Sequence, residues 1–212
     1  MKIRLKFWLD NARKVALPQS ALPCITAMVL AIGTEGFTWP LIFPVLLGVC
    51  AAHLGMNLAD DYFDYRKGIP NNEIRSALKE QGSVRARMEK CHYLQSGEAT
   101  EKDLVRAIAC FLGFAGLMGL AVFVVQLFKG GLSAALPVAV YAVLGLIVGL
   151  EYSGKPLQLG YHGLGELVIG VMFGPLNMLG VYAAMTGDFF RPDFFLFSLA
   201  IGCMVTNIVY VH

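Results

Sequence analysis

Six apolar runs, at about 15–33, 38–59, 104–128, 132–150, 164–186 and 194–211, alternate with polar connections. Each approaches the roughly 20 mostly apolar residues that a membrane-spanning helix needs. Their apolar residues go all the way round a helix instead of forming one stripe, which separates them from surface helices. They do not alternate apolar with polar, as barrel strands do over about 10 residues. The pattern predicts an all-α, polytopic transmembrane helix bundle with about six spans. Thr100 to Asp103 reads as the start of the third, with Thr100 as cap and Asp103 in the first turn.

The connections are unequal. Those at 33–37, 129–132 and 187–193 are short, 151–163 is of medium length, and 64–103 is long and highly charged. If the chain zigzags, 15 of the 17 Lys and Arg residues fall on one side, leaving Lys129 and Arg191 on the other. The excess of positive charge marks the crowded side as cytoplasmic. The N-terminus and any site on that side are therefore expected to face the cytoplasm of the cell inner or plasma membrane.

Composition agrees with this picture. Of 212 residues, 57% are hydrophobic and 15% charged, against about 25% charged in an ordinary soluble domain. Mean hydropathy is +0.62. These values exclude a disordered or fibrous chain and most soluble folds. Five cysteines, an odd set without Cys-x-x-Cys spacing, read as packed thiols. The basic start leads into an apolar run without a small-residue cleavage pattern, so it reads as an anchor.

The chemistry gathers at the end of the second run. Asn57, Asp61 and Asp64 lie at i, i+4 and i+7, so a helix puts them on one face, with His53 one turn earlier. Asp60 adds a third carboxylate within five residues. Such carboxylates repel one another, and near a membrane they are poorly solvated. A hard divalent cation answers both problems, and magnesium takes oxygen ligands while leaving positions for water and phosphate. The plainer alternative is a helix end with its acids in water. Arg85, Arg87 and Lys155 are the candidate phosphate ligands, with Lys67 beside them, because guanidinium forks match phosphate oxygens. Most of the other basic residues are explained by topology and by attraction to anionic lipid. Tyr152, Tyr161, His162, Glu166 and Asn207 converge on the same membrane face and are candidate cavity-lining residues.

These residues carry a resemblance. The stretch Asn57 to Gly68 resembles the first Asp motif of the UbiA superfamily of intramembrane aromatic prenyltransferases. Leu94 to Gly97, and Tyr161 to Glu166 with Phe173-Gly174-Pro175, are most similar to the MenA branch, which prenylates 1,4-dihydroxy-2-naphthoate. Pro70 departs from that pattern, standing where relatives often carry another acid. The resemblance implies a single prenyltransferase domain over 1–212. It implies about nine helices in the full family fold and a second Asp motif just after the sixth. Thr206 to His212 looks like the lead-in to that motif, so the C-terminal part of the domain is expected to be missing. It further implies that Asp61, Asp64, Asn57 and Asp60 hold Mg²⁺ against a prenyl diphosphate. The partners implied are a polyprenyl diphosphate, an aromatic acid and the lipid bilayer, with no nucleic acid. The alternatives are a sibling prenyltransferase with another aromatic acceptor, or, in a different class, a small membrane transporter.

Overall fold

The computed structural model describes residues 5–68 and 91–211, and all regular structure among them is helical. Arg85, Arg87, Pro70 and His212 lie outside the described residues. Helix α1 is Leu5–Asn11, α2 is Pro18–Ala31 and α3 is Ile42–Arg66. Helix α4 is the single turn His92–Gln95, and α5 is Glu101–Glu151. Helices α6 (Gly165–Val171) and α7 (Asn177–Thr186) are joined through a π-turn, Met172–Leu176, and α8 is Pro192–Val211. Four helical stretches, Lys14–Ala31, Trp39–Arg66, Glu101–Glu151 and Gly165–Thr186, are long and apolar enough to cross a membrane. Pro192–Ile208 is a shorter apolar helix.

The expected spans three and four are the two arms of α5. At 1.5 Å per residue an unbroken helix of its 51 residues would run about 76 Å, far beyond a bilayer core. Gly131, at φ 70° and ψ −164°, breaks it where the sequence shows Lys129-Gly130-Gly131. Only glycine takes that backbone geometry readily. The arms fold back alongside α3: Gly55 of α3 packs on Leu112 of the first arm, and Gly149 of the second packs on Met56. The helix starts as its sequence predicts, with the Thr100 hydroxyl accepting from the Asp103 amide at 3.3 Å. The Asp103 carboxylate in turn accepts from the Thr100 amide at 3.2 Å.

Helix α8 approaches the α6–α7 span through small residues. A Cβ placed on Gly202 would lie 2.4 Å from the Gly170 carbonyl oxygen, and one on Gly174 would lie 2.5 Å from that of Ser198. Gly170 and Gly174, and Ser198 and Gly202, are each four residues apart, the spacing that lets membrane helices touch backbone to backbone. The π-turn falls in the same span, around Pro175, which has no amide hydrogen to give to a regular helix.

Two apolar clusters hold the bundle. One joins Cys24, Met28, Val45, Val122, Met178 and Tyr182 across α2, α3, α5 and α7. The other joins Trp8, Leu54, Leu58, Tyr93, Leu94 and Leu104 beneath the acidic end of α3. Large apolar side chains are widely exposed, among them Phe43, Leu117, Phe128 and Leu196, as befits a surface whose solvent is lipid. No disulfide links the five cysteines, all of them among the described residues. Cys24 and Cys91 are buried, whereas Cys110 and Cys203 sit on the outside instead of in the packing expected for them.

Candidate functional site at the end of α3

Helix α3 has 25 residues, about 37 Å at 1.5 Å each, so it outruns a hydrocarbon core of about 30 Å. Asp60, Asp61 and Asp64 lie in its last two turns. Yet Asp61 and Asp64 are only 2% and 1% exposed. Buried carboxylates need partners, and three separate segments supply them.

The first is the N-terminal segment. The Arg13 guanidinium donates to Asp61 and lies 3.5 Å from Asp60. Asn57 Nδ2 donates to the Ala12 carbonyl at 2.9 Å, fastening this segment to α3. The second is α4. The Tyr93 hydroxyl donates to Asp61 at 3.2 Å, and the Cys91 thiol donates to the Asp61 carbonyl oxygen, also at 3.2 Å. The third is the connection between α5 and α6. The Ser153 hydroxyl donates to Asp60 and the Tyr161 hydroxyl donates to Asp64. Lys67 Nζ lies 3.3 Å from the centre of the Tyr161 ring and 3.4 Å from Gln158 Oε1.

Charge sets the protonation here. Burial would lower the Arg13 pKa, but the carboxylates of Asp61, Asp60 and Asp64 more than offset it and hold it above its ordinary value. Arg13 is therefore always a cation. Burial, followed by the charge of Asp61, pushes the Tyr93 phenol well above its usual range, which keeps it a hydrogen-bond donor.

Of the residues singled out from sequence, Asp60, Asp61, Asp64, Asn57, Tyr161 and Lys67 meet here. His53 lies deeper. Its Nδ1 is 2.8 Å from the Ser20 hydroxyl, and its ring is 5.3 Å from that of Phe173 in the π-turn. Asn177 Nδ2 donates to the Ser20 carbonyl at 3.0 Å, so His53, Ser20 and Asn177 form a polar group inside the bundle. Tyr152 is half-buried beside Gly165. Lys155, His162, Glu166 and Asn207 are exposed. His162 Nδ1 is 3.1 Å from the Gln158 carbonyl, and the Glu166 carbonyl accepts from Thr206 at 3.3 Å.

Sequence reasoning missed Arg13, Tyr93 and Ser153 as partners of the acids. Arg13 stood among basic residues explained by topology, and Tyr93 and Ser153 in polar connections without a motif of their own.

Hard oxygen donors ring this helix end, which suits magnesium. Among the described residues no three His, Cys, Asp or Glu side chains gather as a closed metal cage. In the usual magnesium site one or two carboxylates share the ion with substrate phosphates. Asp61 and Asp64 are the residues that would hold it.

The UbiA prenyltransferase family model matches residues 20–212. The chain belongs to the UbiA prenyltransferase family. It is 26% identical over 185 residues to the 2-carboxy-1,4-naphthoquinone phytyltransferase of Synechocystis sp., covering 87% of this chain and 52% of that one. It is 26% identical over 190 residues to the 1,4-dihydroxy-2-naphthoate octaprenyltransferase of Haemophilus influenzae, covering 86% and 55%. To the protein of the same name from Mycobacterium tuberculosis it is 29% identical over 174 residues, covering 82% and 52%. The chain thus spans about half the length of these relatives. No solved structure matches it. Family and apolar helices together make it an integral membrane protein.

Proposed function

We propose that this chain carries a Mg²⁺-dependent prenyltransferase site that moves a polyprenyl group from its diphosphate to 1,4-dihydroxy-2-naphthoate. The allylic C–O bond breaks, the diphosphate leaves with the bonding pair, and the ring attacks the allylic carbon. Loss of the ring carboxyl as CO₂ then gives demethylmenaquinone in its reduced form. The observation that carries this reading is the pair of buried carboxylates, Asp61 and Asp64, at the mouth of a membrane bundle. The names of the chain's relatives supply the acceptor class.

A bound magnesium ion would supply charge neutralisation for the leaving diphosphate. This chain's residues do the rest. Asp61 and Asp64 present oxygen ligands, and Tyr93 and Tyr161 fix their orientation through hydroxyl donors. Lys67 stands over the ring of Tyr161, whose hydroxyl donates to Asp64, and is placed to meet an anion there. Arg85 and Arg87 are proposed as further diphosphate ligands, and Lys155 as a third from its exposed connection. His53, with the Phe173 ring near it, is proposed to line the acceptor side together with Tyr152, Tyr161, His162, Glu166 and Asn207. The site faces the cytoplasm, on the side where the basic residues gather.

The test is product identity. Membranes from a host lacking its own enzyme, carrying this chain, receive a labelled polyprenyl diphosphate, Mg²⁺ and either 1,4-dihydroxy-2-naphthoate or 4-hydroxybenzoate. The expected result is a prenylated naphthoquinone, with one CO₂ and one diphosphate released per transfer. Prenylation of 4-hydroxybenzoate in its place would overturn the acceptor assignment. Solute flux in proteoliposomes without any transfer would overturn the enzyme reading.

A further inference from the structure

We propose that Arg13 is an internal counter-ion that holds Asp61 until a diphosphate arrives, and thereby makes metal binding at this site depend on diphosphate. The inference rests on the reading of Asp61 and Asp64 as metal ligands for a prenyl diphosphate.

Arg13 is an unusual place for a basic residue. Its backbone is left-handed, at φ 59° and ψ 53°, which non-glycine residues seldom adopt and which persists only where neighbours over-determine it. The neighbours do so here. The Arg13 amide donates to the Asp10 carbonyl at 3.1 Å, and the Arg13 carbonyl accepts from Ala16 at 2.8 Å. Ala12 is tied to Trp8 by its amide and to Asn57 by its carbonyl. Phe7, Trp8 and Tyr93 pack edge to face with ring centres 5.1 to 5.9 Å apart, fixing α1 against α4. The outcome of this strained corner is a guanidinium aimed at Asp61 and Asp60. The next residue, Lys14, does not share the task, because it is half-exposed and paired with Asp10 at 2.6 Å.

A carboxylate oxygen gripped by a guanidinium cannot also bind a metal ion without bringing two cations into contact range. A diphosphate removes the conflict. It offers anionic oxygens that match the guanidinium fork, so Arg13 can exchange one anion for another as the metal takes Asp61. Metal and diphosphate then bind as a coupled pair, each raising the affinity for the other by the same factor. A free metal ion meets an Asp61 whose charge the Arg13 guanidinium already offsets.

The test counts protein-bound Mn²⁺, as a probe for magnesium, after equilibrium dialysis of the purified chain in nanodiscs, with and without inorganic pyrophosphate. The wild type is expected to bind Mn²⁺ at least tenfold more tightly with pyrophosphate than without. Arg13→Gln is expected to bind Mn²⁺ alone about tenfold more tightly than the wild type and to lose most of the pyrophosphate gain. Arg13→Lys, which keeps a charge but not the fork, is the reserve should Arg13→Gln fail to fold. It is expected to tighten Mn²⁺ alone by two- to fivefold. Equal affinity for Mn²⁺ alone in the wild type and the folded variant overturns the counter-ion inference and leaves the metal site standing. Tight binding to the wild type without pyrophosphate overturns it as well. No Mn²⁺ bound by the wild type even with pyrophosphate overturns the metal–diphosphate reading beneath it.

Discussion

Lys129 and Arg13 are both cations at an end of the bundle, and the protein handles them in opposite ways. Lys129 donates to the Gly36 carbonyl and, at 2.7 Å, to the Thr38 hydroxyl. Nearby, Arg191 grips Asp193 two residues away and reaches Thr34 at 3.3 Å. These are exposed groups that close loops and finish helix ends. At the other end, Arg13 faces a nearly fully buried carboxylate 48 residues away, and two tyrosines crowd the same acids. Loop closure needs neither burial nor three converging segments. A site that must present charge to an anionic substrate in a poorly solvated place needs both. The difference separates cations that fasten the fold from one held against buried carboxylates.

The comparison can be broken most severely at Asp61. Asp61→Ala leaves the Arg13 guanidinium without its main partner, at a cost of about 3 kcal/mol. Thermal unfolding in detergent should show a clear drop for Asp61→Ala, and an unchanged midpoint would deny that the pair is buried. Next in size is Gly202→Val, which pushes atoms into the Gly170 backbone and should cost about 2 kcal/mol by overpacking. Cysteine cross-linking between α6 and α8 should weaken in that variant. Tyr93→Phe removes one donor from a buried carboxylate and should cost about 1.5 kcal/mol. It should also change the alkaline limb. The folded Tyr93 pKa lies above its unfolded value of about 10, so its contribution is complete below that pH and is lost as pH rises further. Stability of the wild type should therefore fall more steeply above about pH 10 than that of Tyr93→Phe. The smallest effect belongs to Lys129→Met, about 1 kcal/mol or less with transfer unchanged. Loss of transfer in that variant would erase the contrast between the two ends.

Much of this was legible in the sequence, and the reasons are physical. All-round apolar runs can be read as spans because lipid imposes one rule on every exposed face. Gly131 breaks α5 where Lys129-Gly130-Gly131 interrupts hydrophobicity. Asn57, Asp61 and Asp64 stand out because a helix period places them together. The partners of those acids were not legible. Nothing local links Arg13 to a carboxylate 48 positions later, or Tyr161 to Asp64 across 97. Such pairings come from the tertiary fold. The π-turn at Met172–Leu176 was hidden for a different reason, since Gly174-Pro175 in an apolar run reads equally as a kinked helix.

We propose that the acidic end of α3 is where the prenyl diphosphate is activated. The most direct measurement of this is Mg²⁺-dependent transfer of a labelled prenyl group to 1,4-dihydroxy-2-naphthoate by Asp61→Asn and Asp64→Asn, with Lys129→Met as the control at the opposite end. At least a hundredfold loss is expected in both aspartate variants while the control keeps wild-type turnover. Wild-type turnover in Asp61→Asn and Asp64→Asn, with protein levels matched, would contradict it.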